Sequence, residues 1–166
     1  VKSRILRTNS GGKLTAPTGL TLNGDTLWVL DPKNNFIYRY SLTDVFNGSG
    51  NVNAQIKITL TTTNSKGEAL WNDAGYLYVL DDGTSTKSVY RYAKAGGSPA
   101  ISRSLRTANG AATGSVTGMT VRNGILYVTD QTQDKVHPYT LSALYSGTSS
   151  INANTIYALN ISNLDA

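Results

Sequence analysis

Leu27-Trp28-Val29-Leu30-Asp31, then the polar Pro32 to Asn35, then Phe36-Ile37-Tyr38-Arg39-Tyr40, decides the fold, because the pattern occurs three times. The second copy reads Leu77-Tyr78-Val79-Leu80-Asp81, a polar loop, and Val89-Tyr90-Arg91-Tyr92. The third reads Leu126-Tyr127-Val128-Thr129-Asp130, a polar loop, and Val136-His137-Pro138-Tyr139. These runs are rich in the aromatic and β-branched side chains that fit a pleated surface, so each copy predicts two strands around a polar connection. Upstream, Thr18 to Leu22 reads as a shorter strand closed by Asn23-Gly24-Asp25, and Asn-Gly readily supplies the positive φ of a tight hairpin. Asn72 to Gly75 and Asn123-Gly124 stand at the matching places.

A fourth strand is weaker in propensity but recurs, at Ile56 to Thr61, Ile101 to Arg106 and Thr155 to Leu159, with one more copy in front at Ser3 to Thr8. Four antiparallel strands repeating at a period near 50 residues predict the blades of an all-β propeller rather than a barrel or a sandwich. The expected division is a leading strand at 3–8, blade one at 18–61, blade two at 67–107 and blade three at 117–160.

The spacing carries a second layer. Gly19 and Gly118, Asp31 and Asp130, and Leu60 and Leu159 all stand 99 residues apart, and at that offset the chain aligns with itself without a gap. The long connection of blade one, Phe46 to Ala54, matches that of blade three, Tyr145 to Ala153, whereas blade two has only Ala93 to Ala100 there. The repeating unit is therefore a pair of blades, one long-type and one short-type, and a closed ring built from it holds an even number. Three blades do not close a ring, since rings hold about four to eight. The end blades would leave apolar faces in water, so the expected partners are further blades or copies of this chain.

Composition bounds the function. The chain of 166 residues carries a formal charge of +5, but its 15 Lys and Arg are scattered. The aromatics sit at core positions rather than among basic residues, which argues against nucleic-acid binding. There are no cysteines, which excludes disulfides and thiolate metal sites. No stretch has the length and apolarity of a membrane span. Few Lys and Glu beside much Thr, Ser, Asn and Gly resembles extracellular bacterial proteins, so a secreted or cell-surface location is expected. No signal-peptide pattern follows Val1, and the expectation is a mature form or a piece of something longer.

Pro17-Thr18-Gly19, the Leu27 to Asp31 strand and Ile37-Tyr38-Arg39-Tyr40 together resemble the NHL-type and related six-bladed propeller repeats. The resemblance spans nearly the whole chain and implies that these residues are structural. That group includes binding modules, adhesins, enzymes and surface proteins alike, so fold does not fix function. Gly67-Glu68-Ala69-Leu70-Trp71 followed by Leu77 to Asp81 also resembles the opening of the calcium-dependent gluconolactonase and senescence-marker family. That resemblance implies Glu68 as a calcium ligand, although the Asn and Asp ligands that family takes from later blades find no match here.

The repeated Asp31, Asp81 and Asp130 could ring a cation, but the same acid at the same place in each blade reads better as a turn residue accepting backbone N–H groups. Glu68 is the only Glu in the chain. It follows Gly67, in a place read as that of Leu20 and Met119 in the sister blades, and a carboxylate there needs a partner or a wet channel. One ligand does not make a site for a hard cation that wants about six oxygens. His137 is the only His; it replaces Tyr38 and Tyr90, and no Gly-x-Ser-x-Gly elbow supplies a nucleophile for it. Asp81-Asp82-Gly83-Thr84-Ser85-Thr86 lacks the acidic alternation of a calcium loop. Arg4, Arg7, Arg103 and Arg106 recur on the fourth strand, where charge guards an edge. The reading is a non-catalytic extracellular binding or scaffold module with no catalytic residues and no cofactor, which also meets a surface protein or polysaccharide. A calcium-dependent lactonase-like hydrolase using Glu68, and a lectin using Phe46 and Tyr145, are the alternatives.

Overall fold

The computed structural model describes residues 3–97, 101–144, 146 and 149–159. A short strand, β1 (Ile5–Arg7), comes first. Then follow β2 (Gly19–Asn23), β3 (Thr26–Asp31), β4 (Phe36–Ser41), a helical segment α1 (Leu42–Asn47), β5 (Asn51–Asn53) and β6 (Ile56–Thr59). Blade two supplies β7 (Gly67–Asn72), β8 (Tyr76–Asp81), β9 (Ser88–Ala93) and β10 (Ile101–Arg106). Blade three supplies β11 (Val116–Arg122), β12 (Ile125–Asp130), β13 (Lys135–Thr140), β14 (Ser150–Asn152) and β15 (Tyr157–Ala158). The sheets run β2-β3-β4-β6, β7-β8-β9-β10 and β11-β12-β13-β15, all antiparallel within a blade. This is the four-stranded blade expected from the repeat. The leading strand is shorter than residues 3–8, and the last strand is shorter than residues 155–159.

Period-two alternation makes each middle strand face both neighbours. On β8, Leu77 and Val79 pack on Trp28, Leu30, Ile37, Ile58 and Leu60 of blade one. Tyr78 and Leu80 face the other way, onto Val116, Leu126, Val128 and Tyr139 of blade three. The first strands of successive blades lie against each other, β2 on β7 and β7 on β11. Gly19 permits one of these approaches: a Cβ there would lie 2.8 Å from the backbone nitrogen of Leu70.

The long connections hold what the sequence reading missed. β5 pairs in parallel with β1, and 99 residues later β14 pairs in parallel with β10. Each long-type blade thus reaches back and hydrogen-bonds the fourth strand of the blade before it. Ala54 N donates to Arg7 O and Ala153 N to Arg106 O, both at about 3 Å. The fourth strand is therefore not the outermost one where a long-type blade follows, which corrects the reading of Arg4, Arg7, Arg103 and Arg106 as guards of a bare edge. β10 is flanked on both sides, by β9 and β14.

Candidate functional site

Each repeated Asp is buried at the end of its second strand. Asp31 accepts hydrogen bonds from Thr15 N (2.9 Å), Ala16 N (3.1 Å) and Asn34 Nδ2 (2.7 Å). Asp130 accepts from Gly114 N (2.6 Å) and Gln133 N (3.0 Å). Asp81 accepts from Lys66 N (2.8 Å) and from the Gly83 backbone. The three carboxylates thus tie the segment entering each blade to the loop after the second strand. Burial pushes the Asp81 carboxyl above its ordinary range despite those hydrogen bonds, and the adjacent Asp82 adds to the rise.

Glu68 sits at a β-bulge. Gly67 opposes Asp81 while Ala69 opposes Leu80, which leaves Glu68 as the extra residue. Since Gly19 opposes Leu30 and Gly118 opposes Thr129, the counterparts of those glycines are Ala69, and the counterparts of Glu68 are Thr18 and Thr117. Matching Gly67 to Gly19 and Gly118 slides the strand by two residues, and the constant offset of 50 between Asp31 and Asp81 corrects it. Glu68 is half-buried. Burial and then the charges of Asp82 and Asp81 raise its pKa, against the pull of Lys66. Among the described residues, no three His, Asp or Glu side chains gather as a metal would need.

His137 is fully buried, its Nε2 3.4 Å from Asp130 Oδ2. Neither ring nitrogen makes a hydrogen bond among the described residues. The Asp82 loop belongs to the blade junction: its carboxylate accepts from Val116 N and Ser115 Oγ, both at 3.0 Å, and pairs with Lys87 at 2.9 Å. Burial opposes ionisation of Asp82, but these partners hold its pKa below the usual carboxylate value. Phe46 is exposed on α1, while Tyr145 lies outside the described residues.

The most prominent chemistry is apolar and lies at the two ends. On the leading side of blade one, Leu20 and Leu22 are 67% and 56% exposed. Leu20, with Leu6, Leu14, Leu27 and Val29, borders a groove of about 310 Å³. The counterparts of Leu20 and Leu22 99 residues on, Met119 and Val121, are packed into the core between blades two and three. On the trailing side of blade three, Tyr157 and Leu159 are exposed, whereas their counterparts Ile58 and Leu60 are buried under blade two.

No protein-family profile matches the chain, and no curated protein matches it. Solved structures do. Glutaminyl cyclase of Myxococcus xanthus is 14% identical with a TM-score of 0.63, over 86% of this chain and 53% of that one. Hsv2p of Kluyveromyces lactis is 11% identical with a TM-score of 0.54, over 93% and 50%. A calcium-containing structure of a Trichoderma reesei carbohydrate-active enzyme of family AA12 is 19% identical with a TM-score of 0.53, over 86% and 40%. The chain thus spans about half or less of these structures. The likeness to propeller neighbours and the four-stranded sheets together establish a β-propeller fold.

Proposed function

We propose that this chain is a non-catalytic binding or scaffold module of the NHL-like kind, secreted or held at a bacterial cell surface, that works by joining its blades to further blades. The observation that carries the reading is the contrast between Leu20 and Leu22, open to solvent, and Met119 and Val121, packed against a neighbouring blade. Fully burying a leucine is worth about 1.5–3 kcal/mol; the partial burial of Met119 and Val121 implies a smaller gain at each position, still in favour of association. The repeated carboxylates support the reading because their hydrogen bonds are spent on holding loops.

Sedimentation velocity across a concentration series, comparing the native chain with a Leu20→Glu/Leu22→Glu variant, tests it. The native chain is expected to associate as concentration rises and the variant to stay monomeric, with equal melting temperatures at dilutions where both are monomeric, because both leucines are exposed in the isolated chain. Indistinguishable sedimentation of the two proteins would refute the reading.

A further inference from the structure

Among the described residues β1 pairs with one strand only, β5, and its other side carries no more than an isolated bridge from Arg7 to Lys13. Its counterpart β10 lies between β9 and β14, pairing with β9 through Ile101 to Ser104 and with β14 through Ser104 to Arg106. β1 repeats the second half of that arrangement, Ile5 to Arg7 on β5. The half that would meet a β9-like strand falls at residues 2–5, and there Ser3 and Arg4 form no strand. β1 is thus a fourth strand with no third strand beside it among the described residues, and it stops where that partner would begin.

The type of the missing blade can be read from the same comparison. β5 and β14 belong to long-type blades, and β14 grips the fourth strand of a short-type blade. The leading face of blade three packs on Tyr78 and Leu80, with Ala69, Trp71 and Tyr76 beside them, all from blade two. Leu20, Leu22, Leu27 and Val29 repeat that leading face residue for residue, as Met119, Val121, Leu126 and Val128. A second copy of this chain can bring only the exposed trailing face of its long-type blade three to this surface, a poorer match that supports weak self-association, because its one short-type blade is covered on both sides. One detail differs: Pro17 stands where Val116 donates to Asp82, so the missing blade has no use for a carboxylate at that place.

We infer that the leading face of blade one is the docking site for the three inner strands of a further short-type blade, whose third strand pairs antiparallel with β1. The inference rests on the association reading above and names its partner. The register follows from Ser104 opposite Ser88 and places Ile5 opposite that blade's counterpart of Ser88.

The test appends a second copy of residues 68–97 after Ala166, which keeps the 99-residue phase, with Ile5→Cys in β1 and Ser88→Cys in the appended copy. The native chain has no cysteine, so any disulfide within a single chain is that one, and only the monomeric cross-linked species is counted. A parallel arm appends residues 18–47 of the long-type blade with Phe36→Cys at the matching place. The expected result is a disulfide in the short-type arm and none in the long-type arm, with amide exchange around Ser3 to Ile5 slowed about tenfold or more. Adding Leu20→Glu/Leu22→Glu to the short-type arm removes the protection while the original three blades melt unchanged, which separates wrong docking from misfolding. Equal cross-linking in both arms, or a discrete dimer of the unextended chain with Ile5 protected, overturns the inference and leaves the association reading standing. No cross-link in either arm, with no association of the unextended chain, overturns both.

Discussion

Tyr40, Tyr92 and Tyr139 occupy one position in three blades, all fully buried, yet their hydroxyls meet three different surroundings. The same Tyr→Phe change should therefore give three different outcomes. Tyr40 donates to Arg7 O at 2.9 Å, and that carbonyl keeps a second donor, Ala54 N. Its loss removes one ordinary hydrogen bond, about 1 kcal/mol. Tyr92 accepts from Thr61 N (3.2 Å) and from Asn64 Nδ2 (3.0 Å), and Asn64 is itself fully buried. Removing that oxygen strands two donors, and at about 1–3 kcal/mol for a buried orphan the cost should reach about 2–3 kcal/mol. The Tyr139 hydroxyl is buried with no hydrogen-bond partner among the described residues. Deleting it relieves a desolvated group, so the change should be neutral or stabilising by up to about 1 kcal/mol. Urea unfolding of the three variants reads these differences directly. In melting temperature, about 2–4 °C per kcal/mol is expected for a chain of this size. Equal losses at all three positions, or a Tyr139→Phe loss above about 1 kcal/mol, would refute the reasoning, because it would mean that ring packing alone sets the energy.

Gly19→Ala should cost about 1–3 kcal/mol by overpacking, since the new methyl meets the backbone of Ala69 and Leu70, which cannot turn aside; differential scanning calorimetry checks it. Asp31→Ala should cost about 2–4 kcal/mol, because it strands Thr15 N, Ala16 N and Asn34 Nδ2, and faster amide exchange at Thr15 and Ala16 should accompany the loss. For Asp73, burial works against ionisation, but Tyr78, the amides of Tyr76 and Gly75, and Lys94 outweigh it and lower the pKa. Its charge therefore stabilises above the unfolded pKa and ceases to do so as pH falls through the folded one, so the penalty of Asp73→Asn at pH 7 should vanish in strong acid. Glu68 has the opposite sign. Its raised pKa makes the charged form a liability above that value, so Glu68→Gln should be neutral or stabilising at pH 7 and lose any advantage once both folded and unfolded chains are protonated; urea midpoints across pH follow both variants.

The middle strands were readable because apolar alternation and an Asp end recur in Leu27 to Asp31, Leu77 to Asp81 and Leu126 to Asp130, and each run buries side chains toward two neighbours. Strands β5 and β14 were not, because three residues such as Asn51-Val52-Asn53 carry no propensity signal, and their pairing is parallel to a strand more than forty residues away. The one trace was that Val52-Asn53-Ala54 and Ile151-Asn152-Ala153 repeat in phase, with Val52, Ala54, Ile151 and Ala153 all buried. A glycine is a poor anchor for placing Glu68, because Gly67 lies two residues out of phase with Gly19 and Gly118. Register is fixed instead by the hairpin, where Asn72 opposes Leu77 as Leu22 opposes Leu27. The exposed leading face was legible, since a three-blade array has two ends and the residues at them are apolar.

The backward reach of β5 and β14 sets a rule for how such a chain can grow. With the short-type assignment inferred above for the blade of β1, each clasp closes on a preceding short-type blade, which makes the blade pair the smallest portion that can be copied or lost with every clasp still holding something. Gain or loss of a single blade would set clasp against clasp, or leave one gripping nothing. Lengthening by duplication should therefore proceed two blades at a time.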